Sequence, residues 1–473
     1  MQAFDLVVIG SGPAGQRAAV QAAKLGRKVA VVERRREVGG VCINTGTIPS
    51  KTLREAVLDL AGLRQRSLYG GSFATPPEVT VQDLFSRTEQ VMQREREVVQ
   101  AQLLRNDVRL IEGVATFEGP HRLQVAAGDL RQTLEAPFVL IATGTVPGIP
   151  AGLVVDHRTV LTSDDILSLA RLPRTMTVVG AGVVGTEFAT IFAALGVEVT
   201  LLDMRPVLLD MVDREIADAL SVKARSMGVT LRLGEEVARL EPAQNGSAVV
   251  VMKSGKRMAT DVVLVSSGRR GSTADLALDR AGLSADERGR LRVNEHYQTA
   301  TPHIYAAGDV IGFPSLASTS GEQGRLAACH MFGIEAHSVP SLFPYGIYSI
   351  PEIGWVGPHE GELTVKGVPF ETGVARYAEI ARGQILGDHD GMLKLIFHLD
   401  TRRILGVWVL GTQATELVHI GQAVMSYGGT LDYFVDNVFN YPTLAECYKV
   451  AALDGYNKLR VLGPTPAAAR ESK

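Results

Sequence analysis

Two glycine motifs of identical spacing are the residues of this sequence that most directly predict chemistry. Both follow the pattern GxGxxG, with Gly10, Gly12 and Gly15 in the first copy and Gly180, Gly182 and Gly185 in the second. The first glycine of such a motif permits a tight turn, the second lets the backbone approach a pyrophosphate, and the third allows a helix to pack closely on a strand. The helix that follows directs N–H groups and partial positive charge at the phosphates. We therefore expect two dinucleotide sites, although a lone motif of this kind can also be a bare structural turn.

An acidic residue follows each motif at the same distance. Glu33 lies 18 residues after Gly15, and Asp203 lies 18 residues after Gly185. A carboxylate at this place accepts a hydrogen bond from a ribose hydroxyl. Arg205 stands two residues beyond Asp203 and could bind the 2′-phosphate of NADP(H). If the second site takes a nicotinamide dinucleotide, this pair leaves the choice between NAD(H) and NADP(H) open.

The hydrophobic pattern predicts the strands and helices that must position these motifs. Residues 4–9 and 28–33 are largely apolar, as buried parallel strands are, and an Ala-rich helix is expected between them. Residues 176–203 repeat this strand–turn–helix–strand order. We therefore predict an α/β fold with two Rossmann-like dinucleotide-binding domains, followed from residue 344 by an α+β domain. The charge-rich stretch 81–105 is expected to be a helix with a solvated face.

Composition excludes several classes of protein. The net charge of −3 indicates no nucleic-acid partner, and the 46% hydrophobic and 21% charged residues of the 473-residue chain are typical of globular proteins. Three cysteines, Cys42, Cys329 and Cys447, are too few for a secreted disulfide framework. No uncharged apolar run reaches the length of a membrane span, and the N-terminus lacks the features of a signal peptide. We expect a cytoplasmic protein without membrane contact, and the histidine spacing predicts no metal site.

Three further segments carry a resemblance to a known family. They are GGVCINTGTIPSK at 39–51, ATG at 142–144 and AAGDV at 306–310. Together with the glycine motifs, they resemble the FAD-dependent pyridine nucleotide-disulfide oxidoreductases, such as dihydrolipoamide dehydrogenase and glutathione reductase, over nearly the whole chain. The resemblance implies that the first motif binds FAD and the second a nicotinamide dinucleotide. It also implies a homodimer or a higher homo-oligomer.

The same resemblance implies the domains and the site residues. The FAD-binding domain would comprise residues 1–150 and 271–343, the NAD(P)-binding domain 151–270, and a dimerisation domain with a flexible tail 344–473. The FAD site would comprise Gly10, Gly12, Gly15, Glu33, Arg34, Gly40, Cys42, Thr47, Lys51, Ala115, Thr143, Gly144, Asp309, Leu316, Ala317 and Ser318. The NAD(P) site would comprise Gly180, Gly182, Val183, Val184, Gly185, Glu187, Asp203, Arg205 and Gly268. Asp309 would bond the ribityl chain, and the helix that starts at 316–318 would point at the pyrimidine edge of the flavin.

The sequence departs from the family at the residues that reduce disulfides. The family has a second cysteine five residues after the first. In this sequence the residue five positions after Cys42 is Thr47. The family also has a histidine near its C-terminus, paired with a glutamate, and both residues face the flavin of the partner subunit. In this sequence Tyr441 stands at the position of the histidine, while Glu446 remains. Tyrosine, with a pKa of about 10, is a poor base at neutral pH. These changes remove the thiol half of the reaction.

The hydride half keeps its residues, because Lys51 would lie beside the flavin N5 and pair with Glu187. In this combination the chain resembles the soluble, Si-specific NAD(P)+ transhydrogenases of the family. The implied reaction is reversible hydride transfer from NADPH to NAD+ through reduced FAD in a ping-pong cycle, with NAD(H) and NADP(H) as substrates.

Other functions remain open at this point. A diaphorase, quinone reductase or NAD(P)H oxidase would need the same motifs, and a dihydrolipoamide dehydrogenase-like enzyme with a displaced second thiol is a further alternative. A non-catalytic FAD-binding module is less consistent with Lys51, Glu187 and the second intact motif. Cys42 could be a structural residue or a thiol that forms a sulfenic acid or a mixed disulfide.

Overall fold

The computed structural model describes residues 2–60, 80–242, 246–338 and 342–462. Its helices are α1 Pro13–Lys24, α2 Gly40–Asn44, α3 Thr47–Leu60, α4 Val81–Arg105, α5 Val183–Ala194, α6 Arg214–Ser226, α7 Ala317–Met331, α8 Glu360–Val365, α9 Ala381–Leu386, α10 Ala414–Ser426, α11 Leu431–Asp436 and α12 Glu446–Leu462. Short 3₁₀ helices are Ile166–Ser168, Ala274–Leu276, Leu278–Ala281, Asp309–Ile311 and Tyr377–Glu379. The predicted flexible tail at 463–473 lies outside the described residues.

The strands are β1 Gln2–Ala3, β2 Leu6–Ile9, β3 Val29–Glu33, β4 Arg109–Glu112, β5 Val114–Gly119, β6 Arg122–Ala127, β7 Leu130–Glu135, β8 Phe138–Ile141, β9 Thr145–Pro147, β10 Val160–Thr162, β11 Thr175–Val179, β12 Glu198–Asp203, β13 Thr230–Leu233, β14 Val237–Pro242, β15 Ala248–Met252, β16 Arg257–Thr260, β17 Val262–Val265, β18 Arg269–Gly271, β19 Ile304–Ala306, β20 Tyr345–Ile347, β21 Ile353–Val356, β22 Phe370–Arg376, β23 Met392–His398 and β24 Ile404–Leu410.

The first glycine motif lies at the carboxyl end of β2 in a five-stranded parallel sheet. The strand order is β19-β8-β2-β3-β4, which brings the late segment β19 beside the N-terminal half of the chain. Every residue of β2 and β3 is buried, as their apolar sequences predict. A Cβ at Gly324 of α7 would lie 2.0 Å from the Ala14 carbonyl oxygen, so this glycine lets α7 pack directly on α1. A second, four-stranded sheet has the order β1-β7-β6-β5.

The second glycine motif lies at the equivalent end of β11. Its sheet is also parallel, with the order β10-β17-β11-β12-β13, and a small antiparallel sheet β14-β15-β16 accompanies it. The unit β11–α5–β12 reproduces the unit β2–α1–β3, and the predicted internal repeat is therefore present in the fold. Parallel strands place their carboxyl ends, and hence their glycine turns, at one edge of each sheet.

The C-terminal part is built on an antiparallel sheet of order β20-β21-β24-β23-β22. Helices α10 and α12 pack against it, and the rings of Trp355 and Trp408 stack with centroids 5.2 Å apart in its core. The predicted α/β fold class, with two dinucleotide-binding units and an α+β part, is confirmed.

The charge-rich segment forms helix α4, as predicted. It begins with a capping box in which Thr80 and Asp83 each accept a hydrogen bond from the other's backbone N–H. Its polar face is not wholly solvated, because Arg96 donates from Nε to Asn44 Oδ1 at 2.8 Å and so ties α4 to α2. Among the helices that the structure describes, none is both long enough and apolar enough to cross a membrane.

Candidate active site

The first glycine turn has the shape that a bound pyrophosphate requires. Gly10 has a φ of 106°, a backbone conformation that side chains disfavour. A Cβ at Gly15 would lie 1.9 Å from the Gly10 carbonyl oxygen, so glycine is needed there for α1 to approach β2. At Gly12, by contrast, a Cβ would meet nothing among the described residues within 4 Å. The backbone of Gly12 therefore borders open space at the N-terminus of α1.

Glu33 holds this turn from the end of β3. Its carboxylate accepts hydrogen bonds from the Ser11 backbone N–H at 2.9 Å, the Ser11 hydroxyl at 2.6 Å and the Arg35 backbone N–H at 3.0 Å. Ser11 also accepts a hydrogen bond at Oγ from the Gly39 backbone N–H at 3.0 Å. Sequence reasoning missed Ser11, although its position between two motif glycines was a signal for it.

A cleft runs along the edge of the first sheet and encloses about 1150 Å³ of space, including its mouth. The predicted FAD residues that line it are Gly10, Gly12, Glu33, Arg34, Gly40, Cys42, Thr47, Ala115, Thr143, Gly144, Asp309 and Ala317. Sequence reasoning missed other lining residues, among them Gly113, Thr145, Ser272, Asp275, Leu276 and Ser320. Gly113 directly precedes β5, Thr145 lies in β9, and Asp275 and Leu276 lie in the 3₁₀ helix after β18. No local motif marks these positions.

Four predicted FAD residues lie outside the lining of this cleft. Gly15 packs inside the turn, and Leu316 is the N-cap of α7. Ser318 instead lines a separate surface pocket with Arg17 and Arg325. The fourth, Lys51, contacts Glu187.

The cleft fits an FAD molecule. The Thr143 hydroxyl lines the cleft, is buried, and has no hydrogen-bond partner in the described part of the chain. The cleft therefore offers a bound molecule an unused polar group. Asp309 accepts from Ser320 Oγ at 3.4 Å and from Thr145 Oγ1 at 3.5 Å. Burial raises the pKa of Asp309, and the positive charge of Arg269 opposes that effect. A carboxyl group of this kind suits a hydroxylated chain such as the ribityl group.

Lys51 of α3 and Glu187 of α5 join the two dinucleotide-binding units. The Lys51 ammonium lies 2.9 Å and 2.7 Å from the two Glu187 carboxylate oxygens, and Glu187 is only 4% exposed. The Tyr348 backbone N–H donates to Glu187 at 2.8 Å, and its ring centroid is 4.9 Å from the Lys51 ammonium. Sequence reasoning paired Lys51 with Glu187 but missed Tyr348, which comes from the C-terminal part.

The second glycine turn repeats the first in its backbone. Gly180 has a φ of 109°, and a Cβ at Gly185 would lie 1.8 Å from the Gly180 carbonyl oxygen. Val183 and Val184 begin α5 directly after the turn. Gly268 follows β17 and, with a φ of 103°, leads the chain into β18. The structure thus brings the predicted glycines together at one sheet edge.

Asp203 is engaged more fully than the sequence indicated. Its carboxylate accepts from the Ala181 backbone N–H at 2.6 Å and from Arg205 through the backbone N–H at 2.8 Å, Nε at 3.0 Å and Nη2 at 2.8 Å. Burial opposes ionisation, but these hydrogen bonds from Arg205 and from the backbone outweigh it and hold the pKa of Asp203 below its ordinary value. Arg205 also contacts Asp210 at 2.7 Å.

Two family models match this chain. The family model described as pyridine nucleotide-disulphide oxidoreductase matches residues 4–324, and the model of its dimerisation domain matches residues 343–452. This chain belongs to the pyridine nucleotide-disulphide oxidoreductase family. The prediction made from segments 39–51, 142–144 and 306–310 is confirmed.

Relatives and solved structures agree over nearly full length. A soluble pyridine nucleotide transhydrogenase of Mycobacterium tuberculosis (strain ATCC 25177 / H37Ra) is 52% identical, covering 98% of this chain and 99% of the relative. A protein of the same name from Chromohalobacter salexigens is 45% identical, covering 96% of this chain and 99% of that relative. Among solved structures, the HOCl-induced flavoprotein disulfide reductase RclA of Escherichia coli is similar at a TM-score of 0.86 and 28% identity, covering 96% of this chain and 99% of RclA. LpdA of M. tuberculosis is similar at a TM-score of 0.87 and 26% identity, covering 98% of this chain and 100% of LpdA.

The residues that the resemblance assigned to disulfide reduction contain no disulfide in the structure. Cys42 and Thr47 both line the cleft, and the three cysteines are unpaired. Burial raises the pKa of Cys42 despite a hydrogen bond with Thr47. Tyr441 is 69% exposed, and Glu446 accepts from the Thr443 backbone N–H at 3.2 Å.

Proposed function

We propose that this protein catalyses reversible hydride transfer between NADPH and NAD+, with FAD as its cofactor and without a redox disulfide. The intact Lys51–Glu187 pair beside an altered thiol site carries this proposal. Bound FAD would supply two-electron redox chemistry. The protein's residues would position it: the turn at Gly12 would hold the pyrophosphate, Thr143 and Asp309 would hydrogen-bond along the cleft, and the Lys51 ammonium would favour negative charge on the reduced flavin.

Glu187 would keep Lys51 in place. The Glu187 carboxylate is only 4% exposed, and both the Lys51 ammonium and the Tyr348 backbone N–H face it. A buried carboxylate needs such partners. The second glycine turn, with Val183, Val184 and Gly268 beside it, would hold each nicotinamide dinucleotide in turn. One site that alternates between donor and acceptor nucleotide gives the ping-pong cycle.

The organisation of the chain follows from the same proposal. Residues 1–150 and 271–343 would form the FAD-binding domain, residues 151–270 the NAD(P)-binding domain, and the remainder from 344 the dimerisation domain. The dimerisation model matched at 343–452 supports a homo-oligomer. In a homodimer the exposed Tyr441, together with Glu446, would approach the flavin of the partner subunit. We also propose a cytoplasmic location, where both nucleotide pools are present.

Anaerobic titration of the FAD-loaded protein tests the activity. NADPH should bleach the flavin absorbance, and NAD+ added afterwards should restore it with formation of NADH. Bleaching that a quinone reverses but NAD+ does not would assign a diaphorase instead. NADH-dependent reduction of lipoamide, with formation of the thiols of dihydrolipoamide, would assign a disulfide reductase.

A further inference from the structure

The carboxylates at the two glycine turns have different partners. At the first turn, the hydroxyl of Ser11, which lies within the motif, donates a hydrogen bond to the Glu33 carboxylate. The equivalent residue of the second motif is Ala181, which has no hydroxyl. At the second turn, the Arg205 guanidinium instead donates two hydrogen bonds to the Asp203 carboxylate, from Nε at 3.0 Å and from Nη2 at 2.8 Å.

Asp203 has no acceptor position left in this state. A carboxylate offers about four lone-pair sites, and four donors occupy them, one from Ala181 and three from Arg205. A ribose 2′-hydroxyl can be accepted there only when the Arg205 guanidinium withdraws. Arg205 is therefore part of the site for NAD(H) as well as for NADP(H).

Asp210 holds the other edge of the same guanidinium. Arg205 Nη1 lies 2.7 Å from Asp210 Oδ1, and this aspartate is 46% exposed. Arg205 Nη2 lies 3.9 Å from the position that a Cβ would take at Gly182, the glycine at the N-terminus of α5. The guanidinium thus stands next to the nucleotide turn, and its side chain is 36% exposed and reachable from solvent.

We propose that Asp210 sets the balance between NADH and NADPH by competing with the 2′-phosphate for Arg205. When NADH binds, Asp210 retains the guanidinium that has left Asp203. When NADPH binds, the 2′-phosphate takes the guanidinium from Asp210, and Arg205 screens the phosphate from Asp203. This proposal rests on the nicotinamide dinucleotide site assigned to the second turn, and it deepens that assignment.

The variant Asp210→Asn tests the competition directly. Because exposed ion pairs are weak, we expect the ratio of NADPH to NADH affinity to rise by about three- to fivefold. Arg205→Met should lower that ratio by about tenfold or more, since a charged contact to phosphate is lost. Asp218→Asn, which breaks the exposed Arg214–Asp218 pair of 2.8 Å on α6, is the matched control and should leave the ratio unchanged.

Binding of adenosine 2′,5′-bisphosphate and of AMP, measured by calorimetry on the FAD-loaded protein, gives the ratio without any hydride transfer. A ratio in Asp210→Asn equal to that of the wild type and of Asp218→Asn would overturn the proposal. If the ratio rises as expected but NADPH does not bleach the flavin, the competition stands and the transhydrogenase function fails.

Discussion

At the scale of single residues, the pair of Lys51 and Glu187 concentrates charge where the two dinucleotide-binding units meet. The two residues are 136 positions apart, and their side chains are 26% and 4% exposed. A buried carboxylate costs free energy unless it is paired, so this ion pair is not an incidental surface contact. It is therefore the residue-scale feature that most directly supports hydride exchange.

Replacing the ammonium tests its role. Lys51→Met should slow flavin reduction by NADPH by about 100-fold, because a positioned charge near the reduced flavin is lost. Stopped-flow measurement of flavin bleaching gives this rate, and bound flavin per chain reports whether the site still forms. Lys223→Met, which breaks the surface pair of Lys223 with Asp390 at 2.6 Å, is the control. An unchanged rate in Lys51→Met would contradict the assigned role.

The thiol of Cys42 should be unreactive at neutral pH. Burial raises its pKa, so the thiol is protonated below that pKa and the thiolate forms only at higher pH. Alkylation by iodoacetamide, followed by mass spectrometry, should be slow at pH 7 and should accelerate above about pH 9, beyond the ordinary cysteine pKa. A rate that reaches its plateau below pH 8 would instead indicate an activated thiol.

At the scale of elements, the two strand–turn–helix units have similar glycine turns but, under the proposed function, would bind different dinucleotides. Each third glycine lets its helix approach its strand to a distance that any Cβ would prevent. A substitution in one turn should therefore affect one nucleotide and leave the other bound.

Gly185→Ala provides that substitution. A Cβ there would lie 1.8 Å from the Gly180 carbonyl oxygen, so α5 must shift and nicotinamide dinucleotide binding should weaken by about tenfold or more, while FAD stays bound. Titration with NADH, followed by flavin bleaching, measures this affinity. Gly119→Ala is the matched control, because nothing lies within 4 Å of its Cβ position among the described residues. Loss of FAD from Gly185→Ala would show that the two turns are not independent.

At the scale of the whole molecule, a partly buried ion cluster connects the second unit to the C-terminal part. Lys394 of β23 is 2% exposed and contacts Asp213, the N-cap of α6, at 2.9 Å and Glu215 at 3.2 Å; it also contacts Glu360. These three carboxylates approach one another closely enough to suggest a metal site, but the Lys394 ammonium already contacts all three and offsets part of their charge. Burial alone would lower the pKa of Lys394, but the hydrogen bonds that its ammonium donates to Glu360 and Asp213 outweigh burial and raise that pKa.

Lys394→Met should destabilise the fold. It leaves the buried Asp213 carboxylate without its cation, which costs about 3 to 5 kcal/mol in the free energy of unfolding. Urea unfolding of the FAD-loaded protein measures this loss. Lys366→Met, which breaks an exposed pair with Glu362, should change the value by less than about 0.5 kcal/mol. Equal effects of the two variants would show that the cluster contributes no more stability than an exposed ion pair.

Much of the fold was predictable because its signals are local. The apolar runs around the glycine motifs identified β2, β3, β11 and β12, since strands buried on both faces need continuous apolar sequence. The cleft was predictable in the same way where motifs line it, as at Gly12 and Thr143. Gly113 and Ser272 were missed because only the tertiary fold brings them to the cleft. Neither residue belongs to a motif or a repeat that the sequence displays.

The sequence by itself determined the class of chemistry. Under the proposed function, Thr47 and Tyr441 would remove the thiol half-reaction through residue type, since threonine cannot form a disulfide and tyrosine is a poor base at neutral pH. The tertiary structure decided how charge is distributed at the remaining site. Whether Asp203 is free or covered by Arg205, and whether Lys51 meets Glu187 beside Tyr348, depends on side chains brought together from different elements. Charge and hydrogen bonding act through space over a few ångströms, and only the folded chain sets those distances.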